Sequence, residues 1–177
     1  YPHDHHDPQR PDHACGRAAE KNLIVCEAGF VAIVYLGLGS NVGDRKGNIQ
    51  NALFKLSQNG LIIQKTAKII ETEPVGGPPQ SKFFNTVTKA STELSVENLF
   101  KTVKIIEQKL GRRKTVRNGP RIIDIDILLY DELKITTPHL TIPHPQMFTR
   151  DFVLRPLKEI APGIFKKFSY ADHIQHS

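Results

Sequence analysis

The sequence is poor in cysteine, since its 177 residues include only two. Two cysteines cannot build a disulfide framework, which excludes a fold held together mainly by such bridges. No apolar run is long enough to span a bilayer, because the stretch from Leu23 to Leu36 is interrupted by Glu27 and Gly29. The sequence also lacks the pattern of a signal peptide, which is a cationic segment followed by an uninterrupted apolar segment. These absences predict a soluble cytoplasmic protein, or an organellar one if the source is a plant-like eukaryote.

The overall composition is that of a folded domain, with 39% hydrophobic and 24% charged residues. The formal net charge of +6 favours an anionic partner, such as nucleic acid, a membrane surface or a phosphorylated small molecule. This charge is unevenly distributed. Residues 1–30 contain three basic and five acidic side chains, a net charge of −2, so the remaining 147 residues carry +8.

Residues 1–29 differ from the rest of the chain. They contain four of the eight histidines and both cysteines, and they show no apolar periodicity before Leu23. We expect them to form a disordered leader or an added extension, followed by one folded domain at 30–177. His13, Cys15 and Cys26 could bind zinc, but their spacing matches no compact metal motif.

Apolar periodicity after Phe30 predicts an α+β fold. Its elements have the following predicted bounds: strands at 30–36, 61–73, 83–94 and 122–130, helices at 45–58 and 96–110, a weak strand at 133–135, and a C-terminal helix at 149–160 that is bent or broken at Pro156. The order β-α-β-β-α-β contains two successive strands without a helix between them, which pair most simply in antiparallel fashion. This order predicts a ferredoxin-like split β-α-β plait with a mainly antiparallel sheet and flanking helices.

The strongest predicted strand carries two carboxylates at alternate positions, Asp124 and Asp126. Residues i and i+2 of a strand project from the same face, roughly 7 Å apart at Cα. Ile123, Ile125, Ile127 and Leu129 would occupy the opposite, core-facing side. Two neighbouring carboxylates on a partly buried face suit Mg²⁺ shared with substrate phosphates. The alternative is a pair of surface acids that form ion pairs with nearby basic side chains.

A strongly basic segment precedes this strand. It contains six cationic side chains and no acidic one: Lys109, Arg112, Arg113, Lys114, Arg117 and Arg121. An Asn-Gly-Pro turn within the segment predicts a mobile loop. Such a loop beside paired carboxylates suits a polyphosphate site, because arginine forks bind phosphate oxygens that Mg²⁺ leaves unneutralised. A solvated basic loop and a nucleic-acid patch are the alternatives.

Gly37 and Gly39 follow the first strand. The spacing of later glycines does not fit a dinucleotide-binding fingerprint, and no Gly-Lys-Ser/Thr completes a phosphate-binding loop. The pair therefore predicts a tight turn at residues 37–43 in which the backbone approaches closely.

Two further groups are candidates for ligand contacts. Phe83 and Asn85 share one face of a predicted strand, an arrangement that suits stacking and hydrogen bonding to a flat heteroaromatic ligand. His144 lies between two prolines in an extended loop, where it could donate to a phosphate. A core phenylalanine beside a capping asparagine, and an ordinary surface histidine, remain the respective alternatives.

Taken together, these motifs resemble the 6-hydroxymethyl-7,8-dihydropterin pyrophosphokinase family of folate biosynthesis. The resemblance extends from Val31 to Pro162. The segments that carry it are Gly39-Ser40-Asn41, Phe84-Asn85, Gly119-Pro120-Arg121 before Asp124-x-Asp126, and Thr141-Ile142-Pro143-His144-Pro145 with Arg150 and Phe152.

The resemblance implies transfer of pyrophosphate from ATP to the hydroxymethyl group of a reduced pterin, with release of AMP. It implies two Mg²⁺ ions held by Asp124 and Asp126. The other implied site residues are Arg112, Lys114 and Arg121 in catalysis, Glu107, Arg112, Arg121, Ile127, His144 and Arg150 on the nucleotide side, and Thr72, Val75, Phe83, Asn85 and Phe152 around the pterin. It also implies small-molecule substrates, without nucleic acid or membrane, and fusion to or association with other folate-pathway enzymes.

Five positions depart from the pattern usual in that family: Phe83 for Tyr, Lys114 for Arg, Asn118 for Trp, Glu73 for Pro, and Pro145 for an aromatic residue. None of these changes removes a metal ligand, so they bear on rates and on loop closure.

Two other functions remain open. One is a nucleic-acid-binding module of the ferredoxin-like type, against which Asp124 and Asp126 argue because they would repel phosphate. The other is an inactive scaffold domain.

Overall fold

The structure is a computed structural model in which residues 30–164 and Lys167 are described. The predicted leader and the candidate zinc ligands His13, Cys15 and Cys26 lie outside these residues. The elements in chain order are β1 Ala32–Ser40, α1 Arg45–Gln58, β2 Leu61–Thr66, β3 Ile70–Thr72, β4 Phe83–Thr92, α2 Val96–Lys109, β5 Asp124–Tyr130, β6 Ile135–Thr136, β7 Thr141–Ile142 and α3 Asp151–Ile160.

The main sheet confirms the predicted fold class. Its strands are ordered β2-β4-β1-β5, and β3 pairs with the first part of β4 on the same side as β2. Every pairing in this sheet is antiparallel. The short strands β6 and β7 form a separate antiparallel ribbon.

Helices α1 and α2 begin at side-chain caps. Asp44 accepts a hydrogen bond from the Gly47 amide at 2.9 Å, and Ser95 accepts one from the Asn98 amide at 3.3 Å. The bounds predicted for α1 are confirmed, as is the role of Ser95. Gly111 follows α2 with a φ of +92°, a left-handed conformation that glycine adopts without steric cost and that ends the helix.

The sheet is buried on both faces, but by different elements. Helices α1 and α2 cover one face, here called the two-helix face, where Leu36, Leu38 and Ile125 belong to the larger apolar core. Helix α3 covers the other, here called the α3 face, where Val87 and Leu128 pack with the helix. Within the described residues, no helix is both long and apolar enough to cross a membrane.

Strand β5 contains a bulge that changes which side chains face each way. Tyr35 of β1 is opposite Leu129 while Leu36 is opposite Ile127, so Leu128 is an extra residue. Leu128 and Leu129 therefore both pack on the α3 face, and the next residue, Tyr130, faces the two helices. The prediction that Leu129 lies on the core-facing side with Ile127 is wrong, because simple alternation does not hold across the bulge.

Other boundaries also differ from the predictions. Gly37 to Ser40 belong to β1 rather than to a turn, because β4 pairs with all four residues and β5 pairs with the first three. The predicted strand at 61–73 is interrupted after Thr66, and the segment from Pro138 to Pro145, expected from its prolines and histidines to be a loop, contains β7. Helix α3 continues through Pro156 without a break, with Val153 and Leu157 buried on the sheet around it.

Candidate active site

The floor of the site is formed by three neighbouring strands on the α3 face. Gly39 of β1 lies opposite Asn85 of β4 on one side and opposite Asp124 of β5 on the other. Two residues earlier in β1, Gly37 lies opposite Asp126. The strand pairing therefore confirms that the two aspartates share a face and shows that glycine backbone separates them from β4.

Gly39 leaves space for the side chain of Asn85. A Cβ atom at position 39 would lie only 2.7 Å from Asn85 Oδ1, closer than real side chains tolerate. Asn85 is 7% exposed, and its Nδ2 donates to Thr72 Oγ1 at 2.7 Å. The close approach predicted for the glycine pair is present at Gly39 but not at Gly37, where a Cβ atom would make ordinary contact with Leu128 at 3.5 Å. It occurs in a central strand of the sheet, where the absence of a side chain opens the floor of the site.

The two aspartates have different surroundings. Arg112 Nη1 donates to Asp124 Oδ1 at 2.8 Å, and Arg121 Nη1 donates to Asp124 Oδ2. Among the described residues, no donor forms a hydrogen bond with the Asp126 carboxylate. Burial, and then the negative charge of Asp124, raise the pKa of Asp126 to about 6, against the opposing charges of Lys104 and Arg150. Asp126 is thus a carboxylate whose charge the protein alone does not balance.

A buried glutamate on α2 holds one of these arginines in place. Glu107 is 2% exposed and accepts hydrogen bonds at Oε1 from Arg112 Nη1 and, at 2.7 Å, from the Ile125 amide. Its other oxygen, Oε2, accepts from Lys104 Nζ at 3.0 Å. Glu107 therefore connects α2 to β5 and fixes the guanidinium of Arg112 between two carboxylates.

A cavity of about 270 Å³ lies above this floor. It brings together eleven of the site residues expected from the sequence: Thr72, Val75, Phe83, Asn85, Arg112, Arg121, Asp124, Asp126, His144, Arg150 and Phe152. One part of the wall is aromatic and carries an amide, and the other is formed by cationic and carboxylate groups. The cavity can therefore hold a flat polar ring at one end and an anionic group at the other.

A second cavity, of about 300 Å³, lies between α2 and the β6–β7 ribbon. Its apolar lining includes Phe100 and Val103 of α2 and Ile127 of β5. Among the described residues, three side chains line both cavities: Lys104, Asp126 and His144. The two cavities therefore adjoin at Asp126.

His144 presents a single nitrogen donor to this junction. Its Nδ1 accepts a hydrogen bond from the Gln146 amide at 3.3 Å, so the ring proton of the neutral form resides on Nε2. Burial, and then the nearby charge of Arg150, lower the pKa of His144, which keeps the ring neutral at neutral pH. Its backbone amide donates to Leu128 O at 2.9 Å and so fixes the loop to β5.

Three loops beside the first cavity are connected by amide side chains. Asn41 Nδ2 donates to Gln80 Oε1 at 2.9 Å, and Gln80 Nε2 donates to Asn118 O at 2.7 Å. The Arg121 amide donates to Asn41 Oδ1 at 2.8 Å. Gly77, with a φ of +79°, lies so close to Asn118 O that a Cβ atom would be 2.3 Å away. These contacts hold the β3–β4 and α2–β5 loops against each other.

Three of the expected site residues lie outside the first cavity. Lys114 is exposed in the α2–β5 loop, Ile127 lines the second cavity, and Glu107 lies behind the wall that Arg112 forms. Sequence reasoning missed Lys104 and Gln146, which line the first cavity. The spacing of Lys104 three residues before Glu107 on a predicted helix is the signal that could have identified the first of these.

Comparison with known proteins agrees with this geometry. Residues 35–162 match the profile of the family described as 7,8-dihydro-6-hydroxymethylpterin-pyrophosphokinase (HPPK). The chain belongs to the HPPK family. It is 49% identical over 131 residues to the folic acid synthesis protein FOL1 of Dictyostelium discoideum, an alignment that covers 74% of this chain and 20% of that protein.

Other HPPK proteins extend the comparison to a shorter relative and to a solved structure. The chain is 40% identical over 141 residues to 2-amino-4-hydroxy-6-hydroxymethyldihydropteridine pyrophosphokinase of Bacillus subtilis, covering 79% of this chain and 84% of that protein. The crystal structure of Plasmodium falciparum HPPK-DHPS with pteroate matches with a TM-score of 0.58 at 17% identity, covering 73% of this chain and 38% of that one. This structural likeness supports the HPPK fold. The chain thus spans most of the bacterial relative but a minor part of the two eukaryotic ones.

Proposed function

We propose that this chain transfers the terminal diphosphate of ATP to the hydroxymethyl group of 6-hydroxymethyl-7,8-dihydropterin and releases AMP. The observation that carries the proposal is the position of Asp126 where an aromatic cavity and a second cavity meet. Asp124 lies beside it, and Arg112 and Arg121 surround the pair. A reaction that joins a flat ring to a polyphosphate needs its charged groups at this boundary.

The first cavity supports binding of the pterin. Phe83 and Phe152 line it and can stack on a ring, and the buried amide of Asn85 can form hydrogen bonds at the edge of a flat ligand. Asn85 is held in position by Thr72, so it is oriented before the ligand arrives. A ring in this cavity would direct its substituent toward the aspartates at the other end.

The second cavity supports binding of the nucleoside part of ATP. Its apolar wall suits a purine, and its junction with the first cavity places the phosphate chain near Arg112, Arg121 and His144. The two arginines provide fixed positive charge, and the Nε2 proton of His144 provides a neutral donor. Charge and geometry therefore favour a nucleoside triphosphate that lies across the boundary.

The donor set at the floor fits Mg²⁺. Among residues 30–164, no group of three or more His, Cys, Asp or Glu side chains could hold a metal ion by itself. Two carboxylates suffice for Mg²⁺, which usually retains waters and shares substrate phosphates. We propose that Asp124 and Asp126 hold two such ions, which when bound neutralise phosphate charge. The unbalanced charge of Asp126 supports this fit.

The proposed reaction exchanges one phosphorus–oxygen bond for another. The hydroxyl oxygen of the pterin attacks the β-phosphorus of ATP, and the bond from that phosphorus to the α,β-bridging oxygen breaks. AMP leaves with the bridging oxygen, and the hydroxyl proton is released. The chain then acts by positioning and by charge stabilisation, in which Arg112, Arg121 and Arg150 balance the developing negative charge without a covalent intermediate.

The test is incubation of the protein with ATP, Mg²⁺ and 6-hydroxymethyl-7,8-dihydropterin, followed by chromatographic separation of the nucleotides. We expect AMP, formed only when the pterin is present. Asp124→Ala and Asp126→Ala should each reduce turnover by at least ~1,000-fold, because each removes a carboxylate proposed to hold the Mg²⁺ ions that would neutralise phosphate charge. Glu132→Ala is the matched control, since Glu132 is an exposed carboxylate that, within the described part of the chain, is paired only with Lys167.

Formation of ADP would exclude pyrophosphoryl transfer. Absence of any nucleotide turnover would favour a scaffold or binding module instead. Near-normal turnover in either aspartate variant would contradict the proposed metal ligands.

A further inference from the structure

Lys104 is the cationic side chain at the boundary between the two cavities. Among the described residues, only Lys104, Asp126 and His144 line both of them. His144 is uncharged at neutral pH and Asp126 is acidic, so Lys104 alone of these three can supply positive charge. A polyphosphate that extends from one cavity to the other must pass these side chains.

The ammonium group of Lys104 retains donors for a ligand. An ammonium has three N–H bonds, and one of them is directed to Glu107 Oε2 at 3.0 Å. Nζ also lies 5.6 Å from the centroid of the Phe100 ring, which belongs to the second cavity. The side chain is 40% exposed, so water or a ligand reaches the remaining N–H groups.

Glu107 determines where this charge is held. Its Oε1 is shared by Arg112 and the Ile125 amide, whereas Oε2 receives Lys104. The buried carboxylate therefore aligns one cation toward Asp124 and another toward the boundary. A single acidic group positions two cations on adjacent sides of the space proposed for the phosphate chain.

We propose that Lys104 binds the phosphate chain of the nucleotide directly and so favours the triphosphate substrate over AMP. The inference rests on the proposed function, because it takes the ligand of the second cavity to be ATP. A competing explanation is purely structural, in which Lys104 only neutralises buried Glu107. The two explanations differ in one respect: a phosphate contact discriminates between nucleotides of different phosphate number, and a structural ion pair does not.

The experiment is calorimetric titration of the protein with α,β-methylene-ATP in the presence of Mg²⁺, and in parallel with AMP. In the analogue, a methylene group replaces the oxygen of the bond that would break. Lys104→Gln keeps a donor for Glu107 but removes the charge, and we expect it to weaken analogue binding by about 10- to 100-fold, the range for loss of a charged hydrogen bond. AMP affinity should remain within about twofold, and Lys104→Arg should retain most of the analogue affinity.

Lys101→Gln is the matched control, because Lys101 is an exposed lysine one turn earlier on the same helix and lines neither cavity. It should bind both nucleotides as the unsubstituted protein does. In turnover assays, Lys104→Gln should raise the KM for ATP and leave the KM for the pterin unchanged.

Unchanged analogue affinity in Lys104→Gln would overturn the inference while leaving the proposed function intact, as would an equal loss of analogue and AMP affinity. Failure of the unsubstituted protein to bind the analogue would overturn both. If thermal denaturation shows that Lys104→Gln does not fold, Lys104→Met, whose unbranched side chain is only one atom shorter than that of lysine and carries no charge, provides the same comparison.

Discussion

The two faces of the sheet use the same strands but are completed differently. On the two-helix face, α1 and α2 bury a continuous apolar layer from β2 to β5. On the α3 face, α3 packs on Val87 and Leu128, and beyond the start of the helix the sheet carries Asn85, Asp124 and Asp126 around a cavity. One face is covered along its length, whereas the other is left open at one end.

The difference separates stability from ligand binding. An apolar layer closed by two helices stabilises the fold without requiring any particular polar contact. The open end of the α3 face lowers stability, because it places neighbouring carboxylates in a partly buried site where the free protein does not balance the negative charge of Asp126. Substitutions on the two faces should therefore have different consequences, and three of them test this difference.

The largest expected effect is on stability and comes from the two-helix face. Leu99 is 0% exposed in the core between α2 and the sheet and lines neither cavity. Leu99→Ala should lower the free energy of unfolding by about 3 kcal/mol, because it leaves a cavity in close-packed surroundings. Urea denaturation measures the loss. The specific activity of the folded fraction should stay normal. A loss of that activity would contradict the proposal that the two-helix face serves stability and the α3 face serves ligand binding.

A smaller effect, on activity rather than stability, is expected from the open end of the α3 face. In Gly39→Ala, the new methyl group would lie 2.7 Å from Asn85 Oδ1 and force the amide away from Thr72. We expect kcat/KM for the pterin to fall roughly 10- to 100-fold, as when a substrate-positioning group is displaced. Gly163→Ala is the control, because a Cβ atom there meets no heavy atom within 4 Å. A normal kcat/KM in Gly39→Ala would show that Asn85 does not position the pterin.

The smallest expected effect is a gain in stability when Asp126 is neutralised. Because its pKa is raised from 3.8 to about 6, the folded protein binds a proton more tightly than the unfolded chain between these values. Its charge therefore destabilises the fold increasingly as the pH rises from about 4 to about 6. Without Mg²⁺, Asp126→Asn should raise the free energy of unfolding by about 1–2 kcal/mol at pH 7, allowing for solvent screening.

Urea denaturation of Asp126→Asn at pH 4 and at pH 7 measures this gain, which should be nearly absent at the lower pH. Asp124→Asn is the matched comparison and should have the opposite sign, because Asp124 accepts from both Arg112 and Arg121. If both variants were destabilised at pH 7, the charge of Asp126 would be balanced in the free protein after all.

Much of the fold follows from local patterns in the sequence. The spacing of apolar residues predicted both long helices, and capping by Ser95 was confirmed. Alternation predicted that Asp124 and Asp126 share a face, because both precede the bulge and the period of two holds there. The antiparallel order followed from two successive strands without a helix between them.

The remainder depends on contacts between distant parts of the chain. Gly37 and Gly39 have the composition of a turn, but pairing on both sides makes them the middle of a sheet. Lys104 occupies a helical position between core residues, and its significance depends on the β6–β7 ribbon that faces it across the second cavity. The short strand β7 lies in a proline-rich segment where composition alone favours a loop.

The bulge in β5 has a consequence for protein engineering. A designer who transplants the Asp-Ile-Asp segment into another ferredoxin-like sheet must also provide the extra residue at Leu128. If the same residues, Leu128 included, formed a regular strand without the bulge, Leu129 would be directed toward the two-helix face and Tyr130 toward α3, exchanging their packing partners. The bulge must therefore be transplanted together with the Asp-Ile-Asp segment. It allows one strand to present carboxylates at one end and to pack on both the two-helix face and the α3 face at the other.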